Sequence, residues 1–492
     1  MTISAIYSKL PVPARYAGMI YVRHRQNCRR MKRTDRMEHN RRSTFSGKLG
    51  FILSAAGASV GLGNIWRFPY LAAQYGGGMF LLVYIILAMT FGYTMIMSET
   101  ALGRMTGSSS VGAFRRFGDT AGNRFGGWIN AVIPMLIAPY YSVIGGWVCK
   151  YLFEYIAGHQ VQLTQDAFFG SFIGSAGQQV FWFCVFIFLV LFVVWRGVEN
   201  GIEWISRIMM PMLVVLAVII ALYSVTRPGA IEGVKYFLIP DFSHFSWMTV
   251  VAALGQMFYS LSIAMGILVT FGSYMKKNVD METSSVQVEI FDTAIAIMAG
   301  LMIIPAVFAF SGGTPEALQS GPSLMFVTMP KIFLSMGFGR AIGILFFVLV
   351  LFAALTSAIA LAECCISTLE DELHMSRKQG VLLIGVEMLV LGVLNCLGFN
   401  LLEAVKIFGM GILDFFDFLT NSIMMPVSAV MICLLILRKV TIEKVEEEVT
   451  SGGYSKFSGR GIYRFVLRYL AIAFLLVILA SSVASVLGLI RI

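Results

Sequence analysis

Between Ser54 and Tyr70 the chain reads Ser-Ala-Ala-Gly-Ala-Ser-Val-Gly-Leu-Gly-Asn-Ile-Trp-Arg-Phe-Pro-Tyr, with three glycines inside an apolar stretch long enough to cross a membrane. A helix in lipid must satisfy its own backbone groups, because hydrocarbon offers them no other partner. Gly57, Gly61 and Gly63 weaken this helix at mid-depth, where unwound backbone is tolerated only if it lines a cavity. Carbonyls freed by such a break can coordinate a cation, and a half-helix N-terminus attracts a carboxylate. The stretch therefore predicts a small-molecule and ion site inside a bilayer.

Hydrophobic residues make up 58% of the 492 positions and charged residues 13%, a balance too apolar for a soluble globular protein of this size. Residues 1–48 hold twelve Lys/Arg, Arg23, Arg25 and Arg42 among them, against Asp35 and Glu38, which accounts for the whole net charge of +10. A basic arm can meet nucleic acid, but beside a first membrane span it marks a cytoplasmic end, so no nucleic-acid partner is expected. Residues 1–43 read as a disordered arm and 44–492 as the membrane domain. No signal peptide is recognisable, since the charged arm is long and no cleavage site follows it. The seven cysteines lack metal-ligand spacing and read as packing residues outside any disulfide framework.

Apolar stretches of spanning length fall near 49–74, 80–103, 127–155, 178–196, 202–225, 245–275, 287–310, 340–370, 380–398, 408–437 and 464–490. Loop charge supports this set of eleven. Arg104, Arg115 and Arg116 follow span two, Arg196 follows span four, and Lys276 and Lys277 follow span six. Arg377 and Lys378 follow span eight, and Arg438 and Lys439 follow span ten. Every even-numbered exit is basic, which places the N-terminus in the cytoplasm and the C-terminus outside. Spans one and six hold matching places in two five-span halves, about 44–225 and 240–438, followed by an extra helix at about 464–490. Span six, from Leu254 to Gly266, also mixes glycine and hydroxyls at mid-depth. Paired interrupted helices point to an inverted-repeat transporter, so the expected fold is an all-α polytopic membrane protein with a 5+5 repeat. Span eight carries Ala353-Ala-Leu-Thr-Ser357, whose hydroxyl pair suits a hard cation.

Gly57-Ala-Ser-Val-Gly-Leu-Gly-Asn-Ile-Trp-Arg-Phe-Pro69, Gly76-Gly-Gly-Met-Phe80, Glu99-Thr-Ala-Leu-Gly-Arg104, Gln256-Met-Phe-Tyr-Ser-Leu-Ser262 and Leu369-Glu-Asp-Glu-Leu373 together resemble the neurotransmitter:sodium symporter family, most closely its bacterial amino-acid branch. The resemblance runs from about Arg42 to Ile490 and implies the leucine-transporter fold with helices one and six broken. It implies two sodium ions and no organic cofactor. One sodium site would use Ser59, Asn64, Ser260, Asp292 and the substrate carboxylate. The other would use Gly57, Val60, Ala353, Thr356 and Ser357. All are hard oxygen ligands. The implied substrate pocket comprises Ser59, Gly61, Leu62, Gly63, Tyr141, Tyr259, Ser260, Ser262, Met265, Ser357 and Leu361, with the Tyr141 hydroxyl on the substrate carboxylate. Arg67 with Asp417 would form the outer gate. Arg42 with Asp371 would form the inner one, supported by Ser273 and Tyr274.

Each of these residues also has a plainer reading. Gly57 and Gly61 have the spacing of helix-packing glycines, and Tyr141 could belong to an interfacial belt. Thr356 and Ser357 could bond back to their own helix. Asp292 is the sharpest functional candidate, because an anionic carboxylate at mid-membrane costs ~2.5–3.5 kcal/mol or more unless it is paired. The resemblance casts Glu99 as support beneath the broken helix, and Glu363 has no assigned role. The resemblance makes Gly201 and Pro211 in span five a segment that unwinds to admit water, and the plainer reading is an ordinary proline kink.

The expected activity is sodium-coupled import of hydrophobic, including aromatic, L-amino acids across the plasma membrane by alternating access. It needs no chloride and no enzymatic step. An amine or osmolyte substrate, or a non-transporting amino-acid sensor on the same scaffold, remains the alternative, and a homodimer is left open.

Overall fold

The computed structural model describes residues 43–311, 321–451 and 455–486. Among these residues the chain is helical throughout, with isolated bridges in place of strands. Nine helices among them are long and apolar enough to cross a membrane: Gly78–Thr106, Ala121–Ala157, Ala176–Trp195, Val198–Val225, Met281–Ser311, Gly339–Leu373, Arg377–Leu397, Ile412–Val440 and Arg460–Ser485. Two interrupted pairs complete the eleven spans. Lys48–Ser59 and Gly63–Gln74 form span one, bent by 55° at the break, and Trp247–Ser260 with Ile267–Ser273 forms span six. The interrupted helices open the two five-span halves, as the inverted-repeat reading requires.

Local chemistry fixes the ends of the spans. Ser246 caps the first half of span six by accepting from the Thr249 amide at 3.1 Å, and Ser376 forms a capping box with Gln379 ahead of span nine. Span three ends on Gly158 at φ 89°, a left-handed position that glycine fills without strain. The apolar window of span three is 83% buried and that of span eleven 28%, so span three lies in the core and span eleven at the edge. Span one packs against spans five, seven and eight, which puts its break at the centre of the bundle. The six cysteines among the described residues are free, and five of them are buried. Cys28, Arg42 and the rest of residues 1–42 lie outside the described residues.

Candidate functional site

The break in span one falls at Val60–Leu62, where Val60 turns extended at ψ 98°. Gly57 remains within regular helix. Glycine is required at the other two positions by close approach. A methyl group on Gly61 would lie 2.8 Å from Ser357 Oγ and 3.0 Å from the Tyr141 hydroxyl, and one on Gly63 would lie 2.6 Å from Tyr259 Cε1. Freed backbone groups find partners in side chains. The Gly61 amide donates to Asn64 Oδ1 at 3.0 Å, the Leu62 amide to the Tyr141 hydroxyl at 3.3 Å, and Gln256 Nε2 to the Gly63 carbonyl at 3.0 Å.

Span six breaks through three alternate residues at positive φ, Ser262 at 53°, Ala264 at 61° and Gly266 at 75°. Glu99 accepts from the Ala264 amide at 2.7 Å, and Asn130 Nδ2 donates to the Ala264 carbonyl at 3.3 Å. Two fully buried side chains from neighbouring spans thus hold the unwound loop open. Glu99 thus supports the broken helix, the role that the family resemblance implied for it.

Two oxygen clusters flank the breaks. In the first, Asn64 Nδ2 donates to Asp292 Oδ1 at 2.7 Å and to Ser260 Oγ at 2.8 Å, while Ser260 Oγ lies 3.0 Å from both Asp292 carboxylate oxygens. Tyr84 donates to Asp292 Oδ2 at 3.2 Å. Asn64, Tyr84 and Asp292 are fully buried, and the Ser59 hydroxyl beside them has no protein partner among the described residues. In the second, Ser357 Oγ sits 3.4, 3.1 and 3.3 Å from the carbonyls of Gly57, Ala58 and Val60. Thr356 Oγ1 lies 3.2 Å from the Ala353 carbonyl, and its Cβ is 3.2 Å from where a Gly57 methyl would stand. Thr356 also bonds back to Phe352 at 3.0 Å, so the back-bonding reading holds for it, whereas Ser357 reaches across to span one. The donors in both clusters are carboxylate, carbonyl, amide and hydroxyl oxygens, the set that suits an alkali cation.

Between the clusters lies a cavity of about 30 Å³. All eleven residues proposed for the substrate pocket line it: Ser59, Gly61, Leu62, Gly63, Tyr141, Tyr259, Ser260, Ser262, Met265, Ser357 and Leu361. Ala58, Asn64, Ile137 and Ile267 complete the wall. Its wall combines polar groups, the Leu62 amide and the Tyr141 hydroxyl among them, with the apolar side chains of Ile137, Met265, Ile267 and Leu361.

The gate residues are distributed unevenly. Arg67 stacks over the Tyr259 ring at 5.2 Å, and Asp417 accepts from Asn421 at 2.6 Å, so the two make no direct ion pair. On the other side Asp371 accepts from the Ser109 amide at 2.5 Å, Ser273 donates to the Thr270 carbonyl, and Tyr274 donates to Glu363 at 2.8 Å. Arg42, the proposed partner of Asp371, lies outside the described residues. Glu363 faces this end and not the cavity, and Arg377 bonds both its oxygens at 2.5 and 3.2 Å. Span five is wound through Gly201 and Pro211, with a π turn at Val198–Glu203. Here the Gly201–Pro211 stretch shows no unwinding.

Sequence reasoning missed Tyr84, Gln256 and Asn130. Asn130 is a lone polar group in an apolar span, the signal that singled out Asp292, whereas Gln256 sits among hydroxyls and Tyr84 reads as a packing aromatic.

The sodium:neurotransmitter symporter family model matches residues 42–165 and 154–489. The chain belongs to this family. As a member it is a sodium-dependent transporter, not an enzyme, and a multi-pass membrane protein that binds a small molecule within the membrane. An uncharacterized sodium-dependent transporter of Bacillus subtilis is 33% identical over 429 residues, covering 87% of this chain and 94% of its own length. A sodium- and chloride-dependent GABA transporter 2 of Homo sapiens is 27% identical over 401 residues, covering 70% of this chain and 65% of its own. Among solved structures, that of MhsT in complex with L-phenylalanine superposes with a TM-score of 0.81 at 36% identity, covering 90% of this chain and all of MhsT.

Proposed function

We propose that this family member imports hydrophobic L-amino acids, aromatic ones included, with two sodium ions and without chloride. The observation that carries the reading is the polarity of the cavity. The Tyr141 hydroxyl, met by the Leu62 amide, offers a carboxylate a polar partner, and four apolar side chains line the same cavity. Met265 adapts its shape to bulky neighbours, which favours a range of large apolar substrates. MhsT, similar over nearly the whole chain, holds L-phenylalanine. A substrate without a carboxylate would give the Tyr141 hydroxyl proton no carboxylate acceptor.

In this reading the first sodium joins Ser59, Asn64, Ser260, Asp292 and the substrate carboxylate, so ion and substrate bind as a unit. The second joins Gly57, Val60, Ala353, Thr356 and Ser357, and ties span one to span eight. Release of the second ion to a low-sodium cytoplasm frees span one to move. Asp292 supplies fixed negative charge beside the first ion, so no chloride is needed. A cation and a carboxylate a few ångströms apart attract strongly where water is excluded, which offsets the cost of burying both. Each sodium entering down a tenfold gradient and ~100 mV contributes about 3.7 kcal/mol, so two suffice for about five decades of accumulation of a neutral substrate. The location is the plasma membrane, with the N-terminus cytoplasmic.

The test is competition by single L-amino acids against sodium-driven uptake of labelled phenylalanine in proteoliposomes. Leucine, tyrosine and tryptophan should compete, and glutamate and lysine should not. The opposite ranking would overturn the substrate assignment.

A further inference from the structure

A second, apolar recess shares no lining residue with the central cavity. Spans four, five and eight leave a groove of about 340 Å³ walled by Phe192, Val193, Gly201, Trp204, Ile208 and Leu355. Trp204 is 53% exposed, Phe192 45% and Ile208 42%, so the groove opens sideways toward the surroundings of the bundle. At membrane depth those surroundings are acyl chains. A single charged residue, Arg196, stands at one end of the groove, in the two-residue turn between spans four and five. Its guanidinium lies over the Phe192 ring at 5.6 Å and is otherwise exposed.

The neighbouring carboxylates are not available to it. Glu203 is taken by Ser46 and by Arg207 at 2.5 Å, and Glu363 by Arg377 and Tyr274. Glu199, three residues on, is exposed and makes no ion pair with Arg196 among the described residues. A cation at the end of an apolar groove, at the basic end of the bundle by loop charge, matches an acyl chain that carries a negative headgroup. We propose that this groove binds an anionic glycerophospholipid, with one acyl chain between spans four, five and eight and its phosphate on Arg196.

The site adjoins the second oxygen cluster. Leu355 of the groove wall directly precedes Thr356, and Met209, also in the wall, precedes Met210. Thr356 and Met210 both pack on Gly57, at 3.2 and 3.4 Å from where a methyl group on that glycine would stand. An acyl chain in the groove braces this wall from behind and favours the wound form of span five at Gly201.

The experiment uses the purified full chain in nanodiscs of phosphatidylcholine containing an equal fraction of dibrominated phosphatidylglycerol or dibrominated phosphatidylcholine. Bromine on the acyl chain quenches tryptophan on contact, and subtracting the signal of Trp204→Phe isolates Trp204. The glycerol lipid should quench Trp204 at least threefold more strongly than the choline lipid. That preference should vanish in Arg196→Gln and persist in Arg196→Lys, which keeps the charge. Equal quenching by the two lipids, meaning that any acyl chain enters, would overturn the proposal. So would a preference that survives Arg196→Gln, or one lost equally in Arg196→Lys.

Discussion

At the end of the cavity that the proposed orientation turns outward, Arg67 lies over the Tyr259 ring and Asp417 turns to Asn421, leaving two opposite charges unjoined and Asp417 exposed. On the inner side, Glu363 is fully buried and bonded by Tyr274 and Arg377, so that spans six, eight and nine meet on one carboxylate. Beside it, buried Glu203 holds the Ser46 amide at 2.8 Å, and Lys276 donates to the Ser46 carbonyl at 3.0 Å. Phe45 closes the end by packing edge-on against Phe271 at 5.5 Å and Tyr274 at 5.9 Å. The outer seal is one stacked ring, and the inner seal is a buried ionic network under an aromatic plug. Removing one member of a buried pair leaves an uncompensated charge, whereas exposed charges contribute little. The two ends should therefore respond to mutation very differently.

The largest effect is expected at the hinge between the two ends, where span one meets span eight. Thr356→Ala with Ser357→Ala removes both hydroxyls from the second oxygen cluster and leaves only carbonyls. Sodium-stimulated substrate binding should fall by about a hundredfold or more, with the protein still folded and inserted by circular dichroism and gel filtration. Unchanged sodium dependence would remove span eight from the ion site.

At the inner seal, Glu363→Gln takes the nearer counter-charge from half-buried Arg377, which keeps Glu370 at 4.0 Å, so the loss falls below the ~3–5 kcal/mol of a fully buried pair. Thermal stability should drop by several degrees. Labelling of the adjacent Cys364 by a maleimide, read by mass spectrometry, should rise at least severalfold as the inner route loosens. Unaltered Cys364 labelling together with an unaltered melting temperature would show that this pair does not hold the inner end.

The smallest effect is expected outside. Asp417→Asn removes a charge that has no direct partner in Arg67, and exposed pairs are worth about 0–1 kcal/mol. Uptake should change by less than about fivefold. A loss as large as that of Glu363→Gln would mean that Asp417 and Arg67 close on each other in a step of the cycle that dominates transport.

The sequence reads most clearly where membrane physics forces an exception. Glycines inside span one and a carboxylate in span seven each break a rule set by lipid, and each marks a feature that the structure contains. The eleven span boundaries agree with the helices to within a few residues at most ends. Three features were less legible. Tyr84 lies in the run Leu-Leu-Val-Tyr-Ile, where a tyrosine packs as well as a phenylalanine, and only the fold brings its hydroxyl to Asp292. Glu363 and Arg377 sit fourteen residues apart on different spans, and their pairing depends on how those spans cross. The π turns at Gly63–Arg67 and Val198–Glu203 depend on tertiary packing and carry no residue signature of their own.

The central claim is that fixed charge at Asp292 lets sodium alone drive substrate into the cavity. It is tested most directly by uptake of labelled L-phenylalanine into proteoliposomes under an inward sodium gradient, in chloride-free gluconate buffer, for the unaltered chain and for Asp292→Asn. The unaltered chain should concentrate the amino acid as well in gluconate as in chloride. The variant should lose at least tenfold of its uptake in gluconate and regain part of it when chloride is added. Failure of the unaltered chain to transport without chloride would contradict the role assigned to Asp292, whatever the variant does.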